Sequence, residues 1–128
     1  MKPNPISFFS AGLLACAFAS TAQAHHGWST TTDVESKLEG TIQKISFANP
    51  HMSLVLETDE GEWEVDLAPP FRARRAGFDV GAAEPGDYVV LTGHRSQDED
   101  ENYFKAETIT VNGTFYDVYP TRSKTLGD

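Results

Sequence analysis

The chain is 128 residues long, carries a formal net charge of −9 and contains a single cysteine, Cys16. That length holds one small domain, one cysteine rules out an internal disulfide framework, and the acidity argues against a nucleic-acid partner, because carboxylates repel a phosphate backbone.

Residues 1–24 read as an export leader. Lys2 supplies a positive start, Ile6 to Ala19 form a mostly apolar run, and Ala22-Gln23-Ala24 is a small-x-small cleavage signal. The run is too short to span a bilayer, and no later stretch qualifies as a transmembrane segment. Cleavage after Ala24 leaves 104 residues beginning His25-His26-Gly27-Trp28, with net charge −10 once Lys2 is gone. The expected location is therefore periplasmic or secreted. A competing reading takes Leu13-Leu14-Ala15-Cys16 as a loose lipobox, with Cys16 lipidated; the leucine before Ala15 is atypical there, and Ala-Gln-Ala fits better. Without disulfides the mature domain must rely on its own core, which favours a closed sheet with aromatic filling.

Residues 25–36 are polar and rich in Ser and Thr, and read as an extended arm pinned by Trp28. From Lys37 to Ala48, Leu38, Gly40 and Ile42 share one parity while Ile45 and Phe47 share the other, which predicts a bulge near Gln43-Lys44. Asn49-Pro50 is a turn, and His51–Thr58 a second strand with Met52, Leu54 and Leu56 on one face. Asp59-Glu60-Gly61 turns into a third strand, in which Trp63, Val65 and Leu67 alternate with Glu62, Glu64 and Asp66. Pro69-Pro70 opens a short helix over Phe71–Phe78 with Gly77 as its stop, and the seven-residue spacing puts both phenylalanines on the core side. Glu84-Pro85-Gly86-Asp87 leads into a fourth strand, Tyr88–Arg95. An acidic tip at Gln97–Asn102, a fifth strand at Tyr103–Val111, an Asn112-Gly113 hairpin and a sixth strand at Thr114–Tyr119 complete the domain.

The organisation predicted is a leader (1–24), an arm (25–36), a β-domain (37–119) and a flexible tail (120–128). Three meandering strands, a short helix and two or three further strands are the order of an all-β, five- to six-stranded OB-like barrel with its helix between strands three and four. A small β-sandwich or open barrel is the alternative.

The candidate chemistry centres on histidine. A mature N-terminal His25 offers its amine and Nδ1 as one chelate, and a second histidine completes the three-nitrogen arrangement called a histidine brace, which suits copper(II). His51, at the rim of the second strand, is the expected third nitrogen, with His26 auxiliary. A second mode uses the His25 amine with the His26 amide and imidazole. Both modes need the free amine. Met52 is expected in the core. His94 shares parity with Tyr88 and Val90 and is expected at the surface. The spacing of the four histidines is no metal signature by itself.

Arg72, Arg74 and Arg75 form the basic cluster of an acidic chain. They are expected to pair with Glu62, Glu64 or Asp66, or, with Trp28 and His51, to line a groove for a saccharide, peptide or protein edge. Asp98 to Glu101 read as a solvated tip without the alternation of a calcium loop. No Gly-x-Ser-x-Gly elbow, mature cysteine or phosphate loop is present, so an enzyme would need a metal. Two functions lead, a copper-binding module and a metal-free ligand- or protein-binding domain, with a metal-dependent enzyme as a weaker third.

Ala24-His25-His26, Asn49-Pro50-His51, Arg74-Arg75-x-Gly77 and Pro85-Gly86-Asp87 together resemble a family of small exported bacterial proteins known mainly as a domain of unknown function. The resemblance runs from His25 to about Tyr119. It implies export, a compact β-domain, and His25, His26 and His51 as functional positions, with Arg74, Arg75 and Gly77 more weakly marked. It also implies an aromatic residue where this chain has His94. It implies no activity.

Overall fold

A computed structural model describes residues 27–126. Six strands, β1 (Ser36–Ser46), β2 (Ser53–Thr58), β3 (Gly61–Asp66), β4 (Tyr88–Arg95), β5 (Tyr103–Val111) and β6 (Thr114–Asp117), and one helix, α1 (Pro70–Arg75), form the domain. The sheet order is β3-β2-β1-β4-β5-β6, and a parallel pairing of β3 with β5 closes the first five strands into a barrel. β6 is an extra antiparallel strand outside the closure, and α1 lies between β3 and β4. The fold is the all-β, OB-like barrel expected, with the helix in the expected place.

The local signals explain the closure. The register of β1 against β2 shifts between Ile42 and Lys44, so the parity switch is a bulge. It lets one long strand bend from β4, which pairs with residues 36–41, onto β2, which pairs with residues 41–46. Gly40 sits at the crossing, where a Cβ would overlap the carbonyl oxygen of Glu57. Asn112 and Gly113 both have positive φ, as a two-residue I′ hairpin between β5 and β6 requires.

Leu38, Ile42, Leu54, Leu56, Val65, Val89, Leu91, Phe104 and Ile109 fill the interior, and Met52 is buried with them. The helix differs from the expectation. It ends at Arg75, and the chain reverses at Gly77, whose φ is +92°. Phe78 N–H bonds to Ala73 O and Gly77 N–H to Arg74 O, the paired closure of a Schellman motif. Phe78 is thus carried into the core by the reversal, stacked near Phe47 and edge-on to Tyr116. Phe71 follows the helical phase instead, opposite buried Pro70 and Ala73, and is 59% exposed. The two-turn spacing fails because the helix never completes two turns.

Both ends of the described segment, residues 27–35 and 118–126, pack on the outside of the barrel wall. Trp28–Thr30 form a single 3-10 turn, Thr31 bridges to Ser96, and Thr32 N–H bonds to Arg95 O. β6 ends at Asp117, two residues before the expected end of the sixth strand. The chain beyond it turns back, with Lys124 paired to Asp117 at 3.1 Å and Glu35 accepting from the Thr125 and Leu126 N–H groups. The segment from residue 120 to 126, for which the sequence offers no packing signal, is in this way tied to the arm.

Candidate functional site

His94 is the point on which the outer wall is organised. Strand alternation places it outward, as its parity says, but it is only 7% exposed. The expectation of a surface histidine is overturned because the arm and the tail cover this face. The Nδ1 of His94 lies 2.8 Å from the carbonyl oxygen of Thr32 and Nε2 lies 3.1 Å from Glu107 Oε1. A carbonyl only accepts, so Nδ1 carries a proton and donates it. The same Glu107 Oε1 accepts from Arg122 Nε at 2.7 Å. The relay therefore links arm, barrel and tail through one imidazole.

Glu107 reaches this face through an irregularity that the sequence does not announce. The β4–β5 register pairs Thr92 with Thr108 but Gly93 with Ala106, so Glu107 is the extra residue of a bulge. Its side chain is fully buried, and its second oxygen, Oε2, has no partner among the described residues. Gly93 is required opposite it, since a Cβ there would overlap the Lys105 carbonyl.

Trp28 caps the cluster. Its ring is edge-on to His94 and Tyr119 and carries the Arg122 guanidinium at 3.7 Å and the Lys105 ammonium at 5.0 Å. Burial pulls the Lys105 pKa below its ordinary value, and nearby Arg122 lowers it further against the opposing charge of Asp66. Burial likewise pushes up the Tyr103 phenol, which donates to Asp66 at 2.9 Å; the carboxylate adds to the shift. Burial raises Tyr119 as well, against the opposing charge of Arg72 above its ring.

Of the residues singled out from sequence, His25 and His26 lie outside the described residues. His51 is half-buried in the connection between β1 and β2. Two contacts fix its surroundings: Met52 N–H bonds to Ala68 O, and Leu67 N–H to Met52 O. The groove expected of Trp28, Arg74 and Arg75 is not one of the hollows described below, and Trp28 and Arg75 are placed apart. Trp28 faces the His94 cluster, while Arg75 lines a small hollow of about 170 Å³ between α1 and Pro120 that Trp28 does not reach. The expected pairing of the arginines with Glu62, Glu64 or Asp66 is also absent among the described residues. Arg72 instead lies over Phe71 and Tyr119, because α1 packs beside the returning tail and not along β3. Among the described residues no three His, Cys, Asp or Glu side chains gather closely enough to hold a metal ion.

At the barrel end where β1 begins and β4 finishes, a cleft of about 490 Å³ opens. Thr32, Val34 and Ser36 of the arm and β1 form one side, and Trp63 and Arg95 line it from the barrel. Glu60, Asp98, Glu99, Glu101 and Asn102 complete the rim. The Arg95 guanidinium sits 4.6 Å from the Trp63 ring and pairs with Glu60 at 3.0 Å. The acidic tip is folded, with Ser96 donating to Glu101 and Asp100 N–H to Asp98. Sequence reading missed this cleft, because its residues come from the arm, the β2–β3 turn, the β4–β5 loop and three different strands.

No curated protein matches the chain. Among solved structures, the complex of TiaS with an isoleucine tRNA and ATP is similar at 16% identity over 60% of this chain and 18% of that one, with a TM-score of 0.46. The Stn1–Ten1 complex of S. pombe is similar at 16% identity over 60% and 57%, also with a TM-score of 0.46. A deletion mutant of TiaS in complex with agmatine gives 17% identity over 66% and 26%, with a TM-score of 0.48. The chain thus spans less than two thirds of each of these proteins, and the likenesses say nothing of its activity. The sequence match is of another kind: it runs from residue 13 to residue 105, and by it the chain belongs to a family of unknown function, DUF6152.

Proposed function

We propose that the chain is an exported module that binds copper through the amine and imidazole of His25 together with His51, with His26 auxiliary. The observation that carries this reading is the placement of the arm. Trp28 rests on Lys105, whose register partner across the barrel closure is Asp66, and Asp66 pairs in turn with Ser53, two residues after His51. Neighbouring strands are about 4.8 Å apart, and an extended chain advances about 3.3 Å per residue. Three extended residues from His25 to Trp28 advance about 10 Å, about the width of those two strand spacings. Such a site draws on His25 or His26, because the described residues hold no ligand cluster of their own.

The test is copper titration followed by electron paramagnetic resonance. Protein beginning at His25 is expected to give a nitrogen-rich copper(II) signal that weakens in His51→Ala. The same protein with one additional N-terminal residue loses the chelating amine and the signal with it. Equal binding by the two forms overturns the reading.

A second reading, capture of a small ligand without metal, is favoured by the cleft at the far end of β1. Its volume lies within the usual range for ligand sites, about 300–1,000 Å³.

A further inference from the structure

We propose that His94 is a proton-gated latch. As an imidazolium it fastens the arm and the tail to the barrel wall, and loss of its Nε2 proton to solvent releases both. The latch acts with or without a metal at the N-terminus.

The geometry calls for a charged ring. Thr32 O takes the Nδ1 proton, so a neutral ring would turn a bare Nε2 toward Glu107 Oε1, 3.1 Å away. That oxygen is ion-paired with Arg122 and offers only lone pairs. Lone pairs facing each other in a dry site repel, and a proton on Nε2 turns the contact into a charge-assisted hydrogen bond. Glu35 supplies a second, independent observation. Ser36 pairs with Gly93, so one step back along the register Glu35 stands opposite His94, close enough to sense its charge. Glu35 and Glu107 are both buried, and each keeps one oxygen without a hydrogen-bond partner among the described residues. A cation between two such carboxylates offsets their burial. The other charges here are Arg122 of the tail, Lys105, which pairs with His94 across β4 and β5, and Asp66, which pairs with Lys105 on β3. The Tyr119 phenol ring joins the same cluster through Trp28. A neutral His94 leaves three carboxylates against two cations, and an imidazolium balances the group.

Two segments far apart in the chain hang on that proton. Nδ1 holds Thr32 of the arm, and Nε2 holds Glu107, which receives Arg122 of the tail, whose guanidinium lies on Trp28 of the arm. Glu35 receives the Thr125 and Leu126 N–H groups as well. A protonated ring contributes stability below its deprotonation and loses it as pH rises through that point. Arm and tail therefore open together on the alkaline side, while the apolar interior stays closed.

The experiment follows the whole protein from about pH 5 to about pH 9. Long-range proton–nitrogen NMR reads the His94 ring, the Trp28 indole resonance reads the arm, and brief trypsin digestion reads the tail at Arg122 and Lys124, with cleavage rates normalised to an unfolded peptide at each pH. Both ring nitrogens are expected to carry protons at the acid end. Loss of the Nε2 proton is expected to coincide with a shift of Trp28 and a rise of about ten-fold in tail cleavage, with the resonances of Leu54 and Val65 unchanged. Glu107→Gln, which gives the ring a neutral partner, is expected to move the step to lower pH. His94→Gln is expected to cleave fast at every pH; if it fails to fold, the wild-type ring signal and cleavage decide without it. A ring whose Nε2 is bare throughout overturns the latch. So does a ring that loses its proton with cleavage unchanged, and so does a rise in cleavage while the ring is unchanged, which would assign the step to Lys105.

Discussion

The two faces of the β4–β5 wall are equally dry and chemically opposite. Inward, Val89, Leu91, Phe104 and Ile109 pack as an ordinary apolar core. Outward, Thr92, His94, Lys105, Glu107 and Thr108 are as buried as the core residues, yet all are polar. The inner face is held by apolar area removed from water, which asks only for shape. The outer face is held by directed contacts: Thr92 to Thr108 at 2.6 Å, His94 to Thr32 and Glu107, and Arg122 to Glu107 and Trp28. Each inner residue is therefore replaceable by another of similar volume, whereas the outer ones depend on their partners by name. The difference shows how a small barrel can fix the segments around Thr32 and Arg122 without a disulfide.

The comparison breaks most sharply at Phe104, whose truncation to alanine leaves a cavity on the inner face. Phe104→Ala is expected to lose about 3–5 kcal/mol in urea unfolding. On the outer face, Glu107→Gln keeps the shape and removes the charge that receives Arg122 and lies against His94. A loss of about 1.5–3 kcal/mol is expected, the range for hydrogen bonds to charged groups. A change within about 0.5 kcal/mol would make that face an ordinary solvated surface and end the contrast.

The smallest effect concerns the second tie between arm and tail. Burial acts to raise the Glu35 carboxyl, but the N–H donors of Leu126 and Thr125 outweigh it and hold its pKa below the ordinary 4.5. A carboxyl with a depressed folded pKa contributes stability above its unfolded value and loses it as pH falls through the folded one. The wild type is thus expected to lose this contribution progressively below pH 4.5. Glu35→Gln lacks it at neutral pH and has a flatter acid limb in thermal melts against pH.

The legibility of the sequence follows the same division. β3 was readable because Trp63 and Val65 are buried while Glu62 and Glu64 face water. β5 offers no such alternation to follow, since eight of its nine residues are buried. With both faces covered, the bulge at Glu107 and the fate of His94 leave no periodic trace. The parity of His94 was correctly read, and only its burial was missed. What covers it comes from Thr31 and Thr32 at one end of the chain and Arg122 at the other. The cleft was illegible for a similar reason, because Trp63 looks like any inward strand residue until the acidic tip is folded beside it.

By itself the sequence determined the strand order, the bend in β1, the hairpin at Asn112-Gly113 and the helix position, because these follow from local backbone preference and periodicity. It also singled out the histidines at residues 25, 26 and 51. Tertiary structure alone decided that Phe71 stays in water, that Arg72 turns toward the tail, and that His94 ties arm, wall and tail together. Those outcomes depend on contacts between segments far apart in the chain, and no local pattern encodes them.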